Sequence, residues 1–523
     1  MKNNRVLTIA TAFAMSLGLA TAVFADKNLT ILHTNDTHAH LIPFSDENHG
    51  TDKGGAVRRA GLIELIRREV KEPLLVDGGD ISQGTTFFTL FKGEASFKVA
   101  KALGYDATTM GNHELDLDVE HLLELLDKTG LKLLGCNVTW PDGKKNVFQP
   151  YSIFVRNGLK IGVIGRIGKD NWEDCNIKIT NKMKLLDDLE TVRYYAKRIR
   201  PYVDVLIVIS HSEVENDRKL AASVAELDAV IAGHTHAVIQ KPELIKHNAD
   251  AGDYDNGLGG TLFTEAGEWG HYLGRIDLTV DEVNKKITKW DGQLIEVKPE
   301  HEAYASKKIK DLVEYYDQSR IRQVNRVIGH TAQEISYKKE NRRTEQMQNG
   351  VFTCEAMRYA TKGDIGLINA KGVRTSVAAG DITVGDIHTM LPFDNTVIVV
   401  TLKGTEVQKM FDYMAASWGD PDATEISGAT VELNLEEGKA YNIMIGGKPL
   451  DPNKEYRIST GSFVADGNCG GDHYFANPES MLDTGILMRD ATIAYIEYLK
   501  EVPEVDIQTI KLVGKPQTKN LVK

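Results

Sequence analysis

Cysteine is scarce in this chain: Cys136, Cys175, Cys354 and Cys469 are the only four in 523 residues. No two stand as a close CxxC pair, so a zinc ribbon has no ligands. Pairing cannot be read from spacing, and two disulfides and buried free thiols both stay open. Basic charge is also in deficit, with 62 Lys and Arg against 74 Asp and Glu and a net charge of -12. An acidic surface argues against gripping a nucleic-acid polymer through a basic patch. Past the N-terminus no apolar run reaches the ~18 residues needed to span a bilayer.

The N-terminus is the exception. Lys2 and Arg5 precede an apolar, Ala-rich run from Val6 to Phe24, and Val23 and Ala25 stand where a cleavage site needs them. Residues 1–25 read as a secretory signal peptide cut after Ala25, with a membrane anchor as the alternative. No Cys lies at the cut, against a lipoprotein. Cleavage removes two positive charges and no acid, taking -12 to -14. The expectation is a periplasmic or secreted protein with no membrane attachment after cleavage. Its hydrophobic content of 42% and charged content of 26% are ordinary for a soluble globular protein, and its length asks for two or more domains.

The densest chemistry is Gly111-Asn112-His113-Glu114-Leu115-Asp116, which follows a short apolar run ending at Met110. An amide, an imidazole and carboxylates are costly if buried unpaired, so the stretch reads as a site, with a polar turn as the alternative. Four other apolar runs end the same way. Leu29–Leu32 leads into His33-Thr34-Asn35-Asp36-Thr37-His38-Ala39-His40, and Leu74–Val76 into Asp77-Gly78-Gly79-Asp80. Val205–Ile209 leads into Ser210-His211-Ser212, and Ala229–Ile231 into Ala232-Gly233-His234-Thr235-His236. Asp36 and His38, like His234 and His236, stand two apart and face the same way on an extended chain. Carboxylates with imidazoles suit Zn, Mn or Fe, and Asp80 is placed to bridge two cations.

Between these runs lie helical patterns, such as Ala56–Val70 with Leu62, Ile63, Leu65 and Ile66 on one face. Alternating strands and helices predict an α/β fold with its site at the carboxyl ends of strands. The run Ile161–Ile164, ending in Gly165-Arg166, carries no ligand-type residue. Gly259–Leu278 and Lys286–Val297 read as β-hairpin material closing the domain, and Ala303–Arg320 as a charged linker helix. From about Val327 no further His–Asp strand ends appear. That half instead offers Asn369-Ala370-Lys371-Gly372-Val373-Arg374, Pro392-Phe393-Asp394-Asn395 and Gly470-Gly471-Asp472-His473-Tyr474-Phe475. Arg374 suits a phosphate or carboxylate, and Tyr474 or Phe475 a stacked ring.

These stretches resemble the calcineurin-like metallophosphoesterases, and with Asp116 and the motifs of the second half they are similar to the 5′-nucleotidase / UDP-sugar hydrolase family. The resemblance implies a four-layered α/β/β/α metallophosphatase domain at residues 26–300 and a linker helix at 301–325. A smaller α+β substrate-binding domain would follow at 326–523. It also implies two divalent metal ions: Asp36, His38, Asp80 and His236 would hold one, and Asp80, Asn112, His211 and His234 the other. His113 would be the catalytic imidazole, oriented by Asp116. Asn369, Arg374, Asp472 and Tyr474 would bind a small nucleotide substrate, Tyr474 as half of an aromatic clamp. Two positions depart from the pattern: Lys371 stands where the family has a first Gly, and Ala423 where it has the second clamp aromatic.

The expected activity is hydrolysis of nucleoside 5′-monophosphates by an exported enzyme with two metals. The alternatives are a 2′,3′-cyclic nucleotide phosphodiesterase or nucleotide-sugar pyrophosphatase on the same frame, and a binding or adhesion protein that kept the fold.

Overall fold

A computed structural model of the protein describes residues 26–515, apart from 47, 174, 176, 339–340, 342–343 and 420–423. The signal-peptide reading and the Ala423 departure therefore lie outside the described residues. The chain divides into two units, Met1–Asp317 and Gln318–Lys523.

The first unit is built on two six-stranded sheets. Apart from a short pair, Val138–Thr139 with Lys184–Leu185, its strands are β1 (Lys27–Thr34), β2 (Phe44–Asp46), β3 (Gly50–Lys53), β4 (Leu74–Asp77), β5 (Ala107–Thr109), β6 (Leu133–Leu134) and β7 (Tyr151–Arg156). They continue as β8 (Leu159–Ile167), β9 (Val205–His211), β10 (Ala229–Ile231), β11 (Glu243–Lys246), β12 (Gly260–Thr264), β13 (Tyr272–Asp281) and β14 (Lys286–Glu296). One sheet runs β14-β13-β1-β4-β5-β6 and the other β11-β12-β10-β9-β8-β7, while β2 and β3 form a separate hairpin. The central pairs β1–β4, β4–β5, β8–β9 and β9–β10 are parallel.

Parallel strands covered on both faces read as continuous apolar runs. Accordingly β4 and β9 are buried at every position. Leu29, Ile31, Leu74 and Val76 of the first sheet share one core with Ile161, Val163, Val205 and Ile207 of the second, so the sheets pack face to face. The outer face of the first sheet is covered by helices Ala56–Glu69, Glu94–Leu103 and Val119–Thr129. The outer face of the second is covered by Asp188–Ile199 and Val214–Ser223. The result is the four-layered α/β/β/α architecture.

Two local expectations are revised. Gly259–Leu278 is not one hairpin arm: β12 pairs parallel with β10 in the second sheet, whereas β13 pairs antiparallel with β1 and β14 in the first. The turn between them crosses from sheet to sheet, which residue alternation cannot reveal. Ala303–Arg320 is a 3-10 turn, Pro299–Tyr304, followed by a helix, Lys307–Val324. Ile309, Val313 and Tyr316 of this helix belong to the first unit's core. The division between the units falls inside it.

In the second unit a five-stranded sheet is ordered Thr424–Ser427, Ile365–Asn369, Glu455–Gly461, Thr396–Lys403, Ser480–Leu487. Helix Gly404–Ser417 packs Val407, Met410, Phe411 and Met414 against it. No disulfide joins the four cysteines, and Cys136, Cys175 and Cys354 are buried as thiols.

Glu425 is buried in this sheet, its carboxylate accepting the Met347 N–H at 2.9 Å. Burial pushes its pKa up from 4.5 to about 8, against the opposing pull of that hydrogen bond. A folded-state pKa above the unfolded one favours the fold at low pH, and the advantage is lost as pH rises from about 4.5 through about 8. Glu425→Gln is expected to flatten this decline, gaining on wild type by on the order of a few kcal/mol between pH 5 and pH 9 in urea unfolding. A wild-type protein and variant with parallel pH profiles would contradict the buried acid.

Candidate metal centre

The parallel strands deliver their carboxyl-terminal loops to one place. The loop after β1 is laced to the loop after β4 by main-chain bonds from Asp36 N to Gly79 O, His38 N to Asp80 O and Ala39 N to Ile81 O, at 2.9–3.0 Å. The two loops thus bring Asp36 and His38 beside Asp80. Asp36, His38, Asp80, His234 and His236 all have positive φ, at 50, 45, 55, 95 and 57°. Such backbone is strained for non-glycine residues and collects at functional sites.

The side chains converge. Asp36 Oδ1 is 3.7 Å from His38 Nε2 and 3.4 Å from His236 Nε2. Asp80 Oδ2 is 3.2 Å from His211 Nε2 and 3.9 Å from His38 Nε2. Asn112 Oδ1 lies 3.2 Å from His211 Nε2. Two sets have ligand atoms within 4.8 Å of one another: Asp36, His38 and His236, and Asp36, Asp80 and His211. Asp36 thus stands in both sets, beside the bridging position expected for Asp80. His234 lies next to them, its ring 5.3 Å from that of His211 and its Nε2 3.6 Å from Glu213.

Three imidazoles are aimed by their other nitrogen. His38 Nδ1 is 3.0 Å from the Gln83 carbonyl and His211 Nδ1 is 2.8 Å from that of Gly78. A carbonyl only accepts, so Nδ1 carries a hydrogen and Nε2, which faces the cluster, is the atom that would bind a cation. His236 Nδ1 is 2.6 Å from Glu268 Oε2. Burial by itself pushes Asp80 up, but the nearby His211, His113 and His38 outweigh it and hold this carboxyl well below its usual range. Asp36 Oδ1 is buried with no hydrogen-bond partner. An orphaned carboxylate oxygen facing imidazole Nε2 atoms fits a divalent cation.

His113 sits beside this cluster. Its Nδ1 is 2.9 Å from Asp116 Oδ2, and its main-chain N–H donates to Asp80 Oδ1 at 3.0 Å. Its side chain is 33% exposed, so the ring reaches solvent, as does that of His236 at 34%, while Asp36, Asp80 and His211 are closed off. Burial lowers its pKa, but the Asp116 hydrogen bond and the charges of Asp80 and Asp116 raise it to about 9.

A family profile for calcineurin-like phosphoesterases matches residues 29–238, and one for the 5′-nucleotidase C-terminal domain matches 327–476. The chain is 29% identical over 539 residues to protein UshA of Yersinia enterocolitica, covering 94% of this chain and 96% of that one. It is 29% identical over 535 residues to a 5′-nucleotidase of Vibrio parahaemolyticus, covering 94% and 93%. The crystal structure of a 5′-nucleotidase precursor from Thermus thermophilus superposes with a TM-score of 0.61 at 26% identity, over 94% of this chain and 100% of that one. The chain is a calcineurin-like phosphoesterase with a 5′-nucleotidase C-terminal domain.

In the second unit of this phosphoesterase, Asn369 ends its strand buried, and Arg374 is exposed with its guanidinium 5.8 Å from the Phe393 ring. Lys371, the departure from the family pattern, lies in the 3-10 turn Ala370–Gly372, where the chain is right-handed and glycine is not required. Asp472 is exposed. Tyr474 differs from its expected role. It is 3% exposed, its hydroxyl 3.2 Å from Thr424 Oγ1 and its ring edge-on to Tyr413. Core burial of so large a ring outweighs presenting it to a ligand.

Reasoning from the sequence assigned no role to Glu114. Its carboxylate accepts the main-chain N–H groups of Asp80, Ile81 and Gly111, each at 2.8 Å, and so ties together the loops after β4 and β5. The space there is tight: a Cβ on Gly111 would stand 2.0 Å from Asp80 Oδ1 and 2.8 Å from Asp80 N. Gly111→Ala is therefore expected to fold but to push Asp80 aside and lose most bound metal in elemental analysis. Wild-type metal content in this variant would contradict the placement of Asp80.

Proposed function

We propose that this protein is an exported 5′-nucleotidase with two metals, releasing phosphate from nucleoside 5′-monophosphates. The observation that carries the reading is the convergence of Asp36, His38, Asp80, Asn112, His211, His234 and His236 beside the His113–Asp116 pair. Asp36, His38, Asp80 and His236 would hold one cation, and Asp80, Asn112, His211 and His234 the other, with Zn or Mn suited to the donors. When bound, the pair of cations supplies an activated water and polarises the phosphoryl oxygens.

The chain's own residues do the rest. Asp116 fixes the His113 tautomer through Nδ1, which turns Nε2 toward the substrate. In its protonated form His113 donates from Nε2 to a phosphoryl oxygen or to the leaving oxygen as negative charge develops. The Asp80 acceptor on the His113 main-chain N–H keeps that ring in register with the ligand cluster. Arg374, Asn369 and Asp472 are assigned to nucleotide recognition, the guanidinium taking an anionic oxygen.

A second reading is a diester or nucleotide-sugar substrate on the same metals; the burial of Tyr474 removes a stacking face from the expected base site in either reading. Export rests on Lys2, Arg5 and the Val6–Phe24 run. No helix among the described residues is long and apolar enough to cross a membrane.

Phosphate release should be measured on 5′-AMP, 3′-AMP, 2′,3′-cyclic AMP, UDP-glucose and p-nitrophenyl phosphate with added Mn or Zn. A chelator-sensitive preference for 5′-AMP is expected, and a diester preference would move the assignment to the second reading. His113→Ala should keep its metals and lose roughly 100-fold or more in turnover; wild-type turnover would remove His113 from the chemistry.

A further inference from the structure

His236 differs from the other aimed ligands. His38 and His211 are held by main-chain carbonyls, which no side-chain change can remove. The Nδ1 of His236 instead meets the Glu268 carboxylate at 2.6 Å. The second oxygen of Glu268 is 3.2 Å from His49 Nε2, and His49 Nδ1 is 2.8 Å from Asp46 Oδ2. Asp46, His49, Glu268 and His236 therefore form one continuous chain of polar contacts. It starts in the hairpin segment of β2 and β3 and ends at the metal ligands.

The geometry around Glu268 is fixed from three sides. Trp269 N donates to Asp36 O at 2.7 Å, and Asn35 Nδ2 donates to Gly267 O at 2.6 Å. Trp269 adopts φ 57°, and its ring stacks on His40 at 4.4 Å and meets Phe44 edge-on at 5.1 Å. A non-glycine residue in the left-handed region persists only where its surroundings over-determine it. The strain thus marks a segment built to hold one geometry. Its product is a carboxylate, 17% exposed, whose two oxygens are both engaged by imidazoles. A carboxylate behind a ligating imidazole fixes its tautomer and raises its basicity.

We propose that Glu268, steadied by His49 of the hairpin segment, is a positioning residue that sets the affinity of the cation on the His236 side and leaves the other cation unaffected. The inference rests on the two-cation reading above. It gives the hairpin a purpose that neither strand packing nor the ligand set explains. His49→Ala acts in the same direction as loss of Glu268 but more weakly, because it loosens the carboxylate without removing it.

The test compares wild type, Glu268→Ala, Glu268→Gln and His49→Ala, each loaded with Zn and dialysed against chelators of increasing strength. Zinc is counted by elemental analysis, and the visible spectrum of the Co-loaded forms reports ligand geometry. Wild type should retain two ions. Glu268→Ala should release one of them roughly 10- to 100-fold more readily and hold the other normally. Glu268→Gln, whose amide oxygen still accepts from Nδ1–H, should recover part of the loss. The thermal midpoint of the metal-free proteins should be the same. Glu268→Ala holding both ions as wild type does would overturn the proposal. Loss of both ions together with a lowered metal-free midpoint would also overturn it, because that marks a purely structural role. A wild-type protein that retains fewer than two ions would overturn the two-cation reading itself, and this proposal with it.

Discussion

Two carboxylates, Asp36 and Asp80, are buried almost completely at the ends of parallel strands, at 0% and 2% exposure. A buried ionised carboxylate is costly unless it is hydrogen-bonded, paired with positive charge or bound to metal. Much of the first unit follows from that requirement. Four imidazoles are gathered from the strand ends of both sheets, three with their Nε2 atoms facing the carboxylates. The backbone bends into left-handed turns at five of these residues, each a strain of about 1 kcal/mol or more. The loops that hold such turns are laced together by main-chain bonds and by Glu114, so the strain has nowhere to relax. Pre-organisation of this kind lets a site hold its geometry before substrate arrives.

The four layers serve the same end. Close packing of the two sheets makes a rigid platform whose loops open on one side. The hairpin β2–β3 belongs to neither sheet, yet reaches the ligand cluster through His49 and Glu268. Glu114 and Glu268 thus work behind the ligands in different ways. One holds backbone and the other holds an imidazole.

The fold class and the meeting of the Asp, Asn and His side chains were legible because their signals are local. An apolar run followed at once by Asp, Asn or His marks a strand end, and all five such ends meet in the structure. Glu268 was not legible, because its partners His236 and His49 stand 32 and 219 positions away and nothing in Gly267-Glu268-Trp269 marks the pairing. The crossing between β12 and β13 was missed for a related reason: which sheet a strand joins is decided by packing and not by alternation. Tyr474 shows the limit of a motif. The Gly-Gly-Asp stretch was read as presenting an aromatic face, whereas the ring is drawn into a core that sequence spacing does not reveal. Lys371 shows the converse, since a right-handed turn accepts the residue that the motif pattern singled out as a departure.

The most direct measurement is a metal titration of the metal-free enzyme, following phosphate release from 5′-AMP as Mn or Zn is added in known equivalents. The account predicts no turnover without metal and a rise that saturates at two equivalents per chain. Saturation at one equivalent, or phosphate release that ignores metal and chelator alike, would contradict it.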